Sequence, residues 1–321
     1  MNTKSLSENP LGHDMAGSAL SARRAPGANT RSGLGPGAEH RGRAEDAVPG
    51  AKTQAIMAPA GFRIGSKIRI AQIRAIPKKG DLKGNHAQLM SILEDVAKER
   101  VDVVVTPECF LDGYISTEPS VNAKKLRKYA IDPAKSTYVR MVSRWAKAAS
   151  AWVIFGCSRI APEGVYNTAL IIACNGKLKG AYDKIHCQAH DRKYLPGQNL
   201  PVFDSDFGLF GVMICADRRW PETVRSLALQ GARVIFNPTY GMHDERNLHM
   251  MQTRSYESEV FIAFTHPVQS LLTGPDGKII CNDTRANAHY SVNTIDLSEA
   301  DAIRADNSSH LNGLRPELHT R

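Results

Sequence analysis

Three side chains in this 321-residue sequence stand where a thiol or a charge invites a use. Cys215 ends a short apolar run, 211–214, and is followed at once by Ala216, Asp217, Arg218, Arg219, Trp220 and Pro221. That pattern predicts a strand-to-helix elbow with the thiol at its apex, a geometry that exposes a nucleophile beside backbone N–H groups able to receive an oxyanion. The competing reading is a buried structural thiol, because free cysteine is among the most buried residue types. Glu108 comes directly after Val103-Val104-Val105-Thr106-Pro107, which puts a carboxylate at the carboxyl end of a hydrophobic strand, a costly position unless the charge is paired or used. Lys184 ends another expected strand, in Ala181-Tyr182-Asp183-Lys184-Ile185-His186, although most lysines are simply solvated.

The chemistry these three can do together is nucleophilic acyl transfer. A thiol attacks well only as thiolate, and its ordinary pKa near ~8.5 leaves little of that form at neutral pH. Glu108, placed near Cys215, would take the thiol proton, and the Lys184 cation would stabilise thiolate and oxyanion, with the backbone N–H of Ala216 as second oxyanion donor. Attack on an amide carbon then gives a thioester and releases ammonia or an amine, which Glu108 protonates; a water activated by Glu108 hydrolyses the thioester. The scheme needs no metal and no cofactor. His186, His190, His243, His249 and His266 show no H-E-x-x-H spacing of the metalloprotease kind.

The elements that must position these residues follow from hydrophobic periodicity. Strands are expected over 68–76, 101–105, 152–159, 165–173, 177–182, 233–237, 260–265 and 291–297, and helices over 85–100, 134–150, 222–230 and 244–258. Asn175-Gly176 and Gly274-Pro275-Asp276-Gly277 mark hairpins. Strand and helix alternate before hairpins enter, which argues for a mixed sheet or a pair of sheets with helices outside, in one α/β domain over 63–321. No internal repeat is visible. Residues 1–62 are rich in Gly, Ala, Ser, Pro and Arg, poor in aromatics and without periodicity, so a disordered leader is expected there.

Composition narrows the function classes. The net charge of +9 is spread along the chain without a block of interleaved aromatic and basic residues, so nucleic acid is not an expected partner. No run of ~18 apolar residues exists to span a membrane. Six cysteines at 109, 157, 174, 187, 215 and 281, with no C-x-x-C, fit reduced thiols in a cytoplasmic protein.

Taken together, PECFLDGY around Glu108, YDKIH around Lys184 and GVMICADRRWPE around Cys215 resemble the signature segments of the nitrilase superfamily of carbon-nitrogen hydrolases. The resemblance runs from about Lys67 to Leu318 and excludes the leader. It implies a four-layer αββα sandwich, a cofactor-free Cys-Glu-Lys site and assembly as a homodimer or larger homo-oligomer. It implies hydrolysis of a linear amide or N-carbamoyl group, with a nitrile hydrolase or a catalytically silent scaffold as alternatives. Many relatives carry a second glutamate between the lysine and the cysteine; here none occurs over 185–214, and His190 or Asp191 is the candidate replacement. The ICADRRWPE elbow is similar to that of N-carbamoyl-D-amino acid amidohydrolases, where arginines at this position hold a substrate carboxylate. Arg218 and Arg219 are therefore candidate substrate ligands, or else they support the elbow. Tyr114, His190 and Asn237 complete the candidate substrate contacts.

Overall fold

Two six-stranded sheets lie face to face, because both carry alternating large apolar residues on the faces they share. A computed structural model describes residues 67–318; the leader predicted over 1–62 lies outside them. The first sheet takes β1 (Lys67–Ile73), β2 (Val103–Val105), β3 (Trp152–Ile160), β4 (Val165–Ile172) and β5 (Leu178–Asp183), and the second β6 (Val202–Ser205), β7 (Gly208–Val212), β8 (Val234–Pro238), β9 (Phe261–His266), β10 (Gln269–Thr273) and β11 (Ile279–Asp283). The last strand, β12 (Tyr290–Asp296), returns to the first sheet. The orders are β12-β1-β2-β3-β4-β5 and β11-β10-β9-β8-β7-β6. In each sheet three central strands run parallel, β1-β2-β3 and β7-β8-β9, and the flanking strands pair antiparallel.

The period of two sorts the side chains. Val103 and Val105 point into the space between the sheets with Ile70, Ile154, Phe210, Val212 and Phe236. Val104 points the other way, onto α1 (Leu82–Val96) and α3 (Thr137–Ala149), whose Leu89, Leu93, Val142 and Ala146 form an outer layer. On the far side α4 (Pro221–Leu229) and α5 (Glu245–Ser258) cover the second sheet through Val224, Leu227 and Met251. The four layers are helix, sheet, sheet, helix, as the resemblance implied. A short α2 (Ala123–Leu126) and α6 (Ser298–Ala305) complete the helices of the described residues. Among these residues no helix is long and apolar enough to cross a membrane.

The helices start on side-chain caps. Asp81, Ser136 and Asp244 accept from the backbone N–H of Gly84, Val139 and Asn247, satisfying donors that the first turn leaves without partners. Pro221 opens α4, where its missing N–H costs nothing. Buried Asn85 of α1 also ties the helix to its surroundings, since its amide accepts from Lys78 N–H and donates to the carbonyls of Lys78 and Leu111. That stitches α1 to the loop that carries Glu108.

The order strand-helix-strand-helix-strand-strand-strand occurs twice, as β1-α1-β2-α3-β3-β4-β5 and β7-α4-β8-α5-β9-β10-β11, apart from the single turn of α2 in the first set. The chain carries this structural repeat with no repeated sequence to announce it. Most expected elements lie within a few residues of the observed ones. The strand feeding the elbow differs: the apolar run over 211–214 pointed to a strand ending at the thiol, whereas β7 spans Gly208–Val212 as the second arm of a hairpin with β6. Gly208 and Gly211 interrupt the apolar signal there, while the pairing of Phe203 with Phe210 and Val202 with Gly211 sets the register.

Candidate active site

Glu108, Lys184 and Cys215 converge from strand ends of both sheets. Each is buried, at 1%, 1% and 7% exposure, and the chain reaches each in a different way.

Beyond β2 the chain lies so close against β3 that a Cβ on Gly156 would sit 2.2 Å from the Pro107 carbonyl oxygen. The Thr106 hydroxyl accepts from Gly156 N–H at 2.8 Å, and Leu111 N–H donates to the Gly156 carbonyl at 3.1 Å. Glu108 emerges between these anchors, followed by Cys109 at φ +48° and, further on, Tyr114 at φ +55°. Lys184 follows β5. Its N–H donates to the Asn167 carbonyl, its carbonyl accepts from Gly197 N–H, and Asp183 beside it is clasped by the Arg159 guanidinium. Cys215 opens a 3-10 turn, Cys215–Arg219, at φ +45°. A non-glycine residue in this region costs roughly 1–3 kcal/mol and clusters at functional sites.

The Lys184 ammonium has three donors and three partners: Glu108 Oε1 at 2.8 Å, Asp191 Oδ2 at 2.6 Å and the Tyr114 hydroxyl at 3.4 Å. Burial opposes its charge, but Glu108, Cys215 and Asp191 outweigh that and raise its pKa well above the ordinary lysine range. The carboxylates thus hold the ammonium in its charged form. Glu108 Oε1 also accepts from Asn167 Nδ2 at 2.8 Å, and Oε2 accepts from Tyr240 N–H at 3.1 Å. The Cys215 thiol is pushed up by burial and by Glu108, and pulled down by Lys184, Arg218 and the Tyr240 N–H; the net direction is upward. Cys215 thus rests as a thiol.

Between His190 and Asp191, the structure puts Asp191 on the lysine. Asp191 is fully buried and accepts from Lys184, the Tyr114 hydroxyl and Gln188 N–H. His190 is half exposed, its Nε2 3.8 Å from Asp191 and its ring edge-on to Tyr114. Tyr114, expected at the substrate, spends its hydroxyl on Asp191 and Lys184.

Arg218 and Arg219 do not form a two-armed clamp, because consecutive side chains in a 3-10 turn leave the axis ~120° apart. Arg218 is buried: Nε donates to Asn247 Oδ1 at 2.6 Å, Nη2 to the Met242 carbonyl at 2.6 Å, and Nη1 lies 3.5 Å from Cys215 Sγ. These contacts favour the elbow-support reading for Arg218. Arg219 is exposed and reaches Gln188 Oε1 at 2.9 Å, toward the rim. Asn237 lies beneath the elbow and donates to the Met213 carbonyl at 3.1 Å. Ala216 follows the thiol in the first turn, where N–H groups find no acceptor within the turn.

Sequence reasoning missed the contacts made here by four residues: Asn167, Tyr240, His266 and Asp217. Asn167, a buried amide inside a mostly apolar strand, carried a signal that was there to use. Tyr240 acts through its backbone and carries none. Its carbonyl is held by His266 Nε2 at 3.0 Å, while His266 Nδ1 accepts from Val268 N–H. Burial and then His243 lower the His266 pKa to about 3, so the ring is neutral. Asp217 is the fourth. Among the described residues no three His, Cys, Asp or Glu side chains gather as metal ligands would.

A model of the carbon-nitrogen hydrolase family matches residues 67–305. The chain belongs to that family. This carbon-nitrogen hydrolase is 26% identical over 274 residues to a probable nitrilase of Schizosaccharomyces pombe, across 79% of its own chain and 98% of the relative. It is 27% identical over 249 residues to the omega-amidase NIT3 of Saccharomyces cerevisiae, across 68% and 83%. The crystal structure of the yeast Nit3 superimposes with a TM-score of 0.66 at 25% identity, over 77% of this chain and 96% of the other. An amidase from Nesterenkonia shares the fold at 19% identity, with a TM-score of 0.64 over 80% and 97%. The protein described here is accordingly an enzyme acting on carbon–nitrogen bonds.

Proposed function

We propose that this chain hydrolyses the terminal amide or N-carbamoyl group of a small linear substrate through a Cys215 thioester, with Glu108 as proton carrier and Lys184 as the fixed cation. The observation that carries this reading is the buried ammonium held between Glu108 and Asp191. Two carboxylates around one lysine leave a net charge of −1, which the Arg218 guanidinium beside the thiol offsets, so the lysine charge persists in this buried site.

Among the described residues, Oε2 of Glu108 accepts only from Tyr240 N–H, so it retains a lone pair for the thiol proton. As Sγ bonds to the amide carbon, that proton passes to Oε2 and the carbonyl oxygen becomes an oxyanion. Of the three Lys184 hydrogen bonds the one to Tyr114 is long, so it is the one exchanged for the oxyanion, beside the Ala216 N–H. Glu108 then protonates the departing nitrogen, the C–N bond breaks, and ammonia leaves behind a thioester. Water gives its proton to Glu108, attacks the thioester carbon and releases the acid and the thiol. Asp191 takes the place of the second glutamate by orienting Lys184. Arg219 at the rim suits a distal substrate carboxylate, and relatives named omega-amidase and deaminated glutathione amidase agree with an acid-bearing amide.

The test is ammonia release from half-amides of dicarboxylic acids, N-carbamoyl amino acids, neutral aliphatic amides and nitriles, with Cys215→Ala beside the wild type. The expected outcome is turnover of acid-bearing amides or carbamoyl acids that disappears in the variant. Turnover that survives in Cys215→Ala would refute the thiol mechanism, and equal rates on neutral amides would remove Arg219 from substrate binding.

A further inference from the structure

Asp217 lies two residues beyond the nucleophile and is fully buried. Its carboxylate is held by four donors, none of them a lysine or arginine. Oδ2 accepts from Ile214 N–H at 2.9 Å and from the Tyr182 hydroxyl at 2.7 Å. Oδ1 accepts from His186 N–H at 2.8 Å and lies 2.9 Å from His186 Nδ1. Donation along that last contact requires the imidazole proton on Nδ1.

The identity of these donors matters more than their number. Tyr182 and His186 stand two residues before and two after Lys184, and Ile214 immediately precedes Cys215. Tyr182 belongs to the first sheet and the elbow follows a strand of the second. One carboxylate thus joins the segment that carries the ammonium to the segment that carries the thiol, across the seam between the sheets. The outer face of the same join is closed by Trp220, whose ring stacks on His186 at 4.0 Å and 6°. Cys215 itself is in a left-handed conformation that the surrounding contacts must enforce. A buried carboxylate satisfied by backbone N–H groups is also rigid, since losing any one donor leaves charge desolvated and unpaired.

We propose that Asp217 is a positioning residue that sets the distance between the Cys215 thiol and the Lys184 ammonium, acting through Tyr182, His186 and Ile214 and touching no substrate. The proposal rests on the thiol mechanism above, and its test separates the two. Asp217→Ala leaves four donors without their acceptor, two of them buried, and is at risk of not folding, so the informative variants are Tyr182→Phe, His186→Ala and His186→Asn. The asparagine keeps an N–H near the position of Nδ1 and serves as the conservative rescue.

Two readouts are made on variants shown to be folded by circular dichroism. The first is kcat and KM on the best amide substrate. A misplacement near 1 Å costs about 100-fold in rate, so Tyr182→Phe and His186→Ala are expected to lose about 10- to 100-fold in kcat with KM little changed, and His186→Asn to recover most of it. The second needs no substrate: the rate of Cys215 alkylation by iodoacetamide from pH 6 to 10. Both disruptive variants are expected to shift that pH profile, since the Lys184 cation no longer sits at its distance from the thiol. Folded variants with kcat and the alkylation profile both unchanged would overturn the positioning role, as would a rise in KM alone. Absence of turnover in the wild type, or turnover in Cys215→Ala, would count against the proposed reaction instead, and the alkylation profile would still decide the role of Asp217.

Discussion

The ammonium of Lys184 is the group on which the site turns, since its three donors each meet a partner, and in the proposed mechanism Glu108 carries the proton, Asp191 orients the lysine and Tyr114 gives up its bond to the oxyanion. Removing one partner of a buried ion pair costs about 3–5 kcal/mol. Asp191→Ala is therefore expected to lower the thermal midpoint and, in the folded fraction, to cut kcat about 100-fold or more. Steady-state kinetics with matched melting curves check this; wild-type kcat in that variant would remove Asp191 from the mechanism. Glu108, Lys184 and Cys215 were candidates in the sequence because each stands at the end of an expected strand and the three segments together resemble one family, and the structure brings them together. Asp191 was legible only as one of two choices, since sequence does not say which of two adjacent loop residues turns inward. Of the other donors to Glu108, Asn167 offered a signal as an amide within a strand, but that it comes from a neighbouring strand to meet Glu108 was not readable, and Tyr240 contributes a peptide N–H that spacing along the chain does not encode.

At the scale of elements, strand ends do the positioning and close backbone approaches set their precision. A methyl group at Gly156 would collide with the Pro107 carbonyl at 2.2 Å and lie 3.0 Å from the Cys109 nitrogen. Both contacts are with backbone, so no side chain can swing away. Gly156→Ala is expected to destabilise by about 1–3 kcal/mol, the usual cost of overpacking, and to lose activity beyond the loss of folded protein because the displaced segment carries Glu108. Specific activity per folded molecule, from activity and melting curves on one preparation, checks it; full specific activity would show that the 106–109 segment tolerates movement. The helices and most strands were readable from periodicity and from the turns at Asn175-Gly176 and Gly274–Gly277. The hairpin of β6 and β7 was not, because two glycines interrupt the apolar run there, and register across strands decides such cases.

Across the whole molecule, two copies of one strand and helix order pack their sheets together, and the buried interior holds ionisable groups whose titration couples to folding. Burial raises the Asp112 carboxyl to about 7, against an ordinary value near ~4. Between those values the folded protein keeps a proton that the unfolded chain has released, so stability falls as pH rises from about 4 to about 7 and is flat above. His266, lowered to about 3, works in the other direction: the unfolded chain gains a proton below about 6.5 that the folded state refuses, and stability is lost on acidification. Asp112→Asn is expected to remove the first slope, so that its melting temperature no longer falls between about pH 4.5 and 7, and to lower stability at every pH because Oδ1 and Oδ2 accept from Ile115 N–H and Ser158 N–H and an amide can serve only one of them. Parallel wild-type and variant curves would contradict the assignment. The layered architecture was anticipated through the resemblance of three short segments, whereas the doubled topology was not, since the two halves share an order of elements and no sequence.

The thioester on Cys215 is tested most directly by intact-protein and peptide mass spectrometry after acid quench of enzyme mixed with a turned-over amide. The expected result is an added acyl group, the substrate less ammonia, on the peptide containing Cys215 and on no other, and absent in Cys215→Ala. Steady turnover with no acyl adduct, or an adduct on another cysteine such as Cys109, would contradict it.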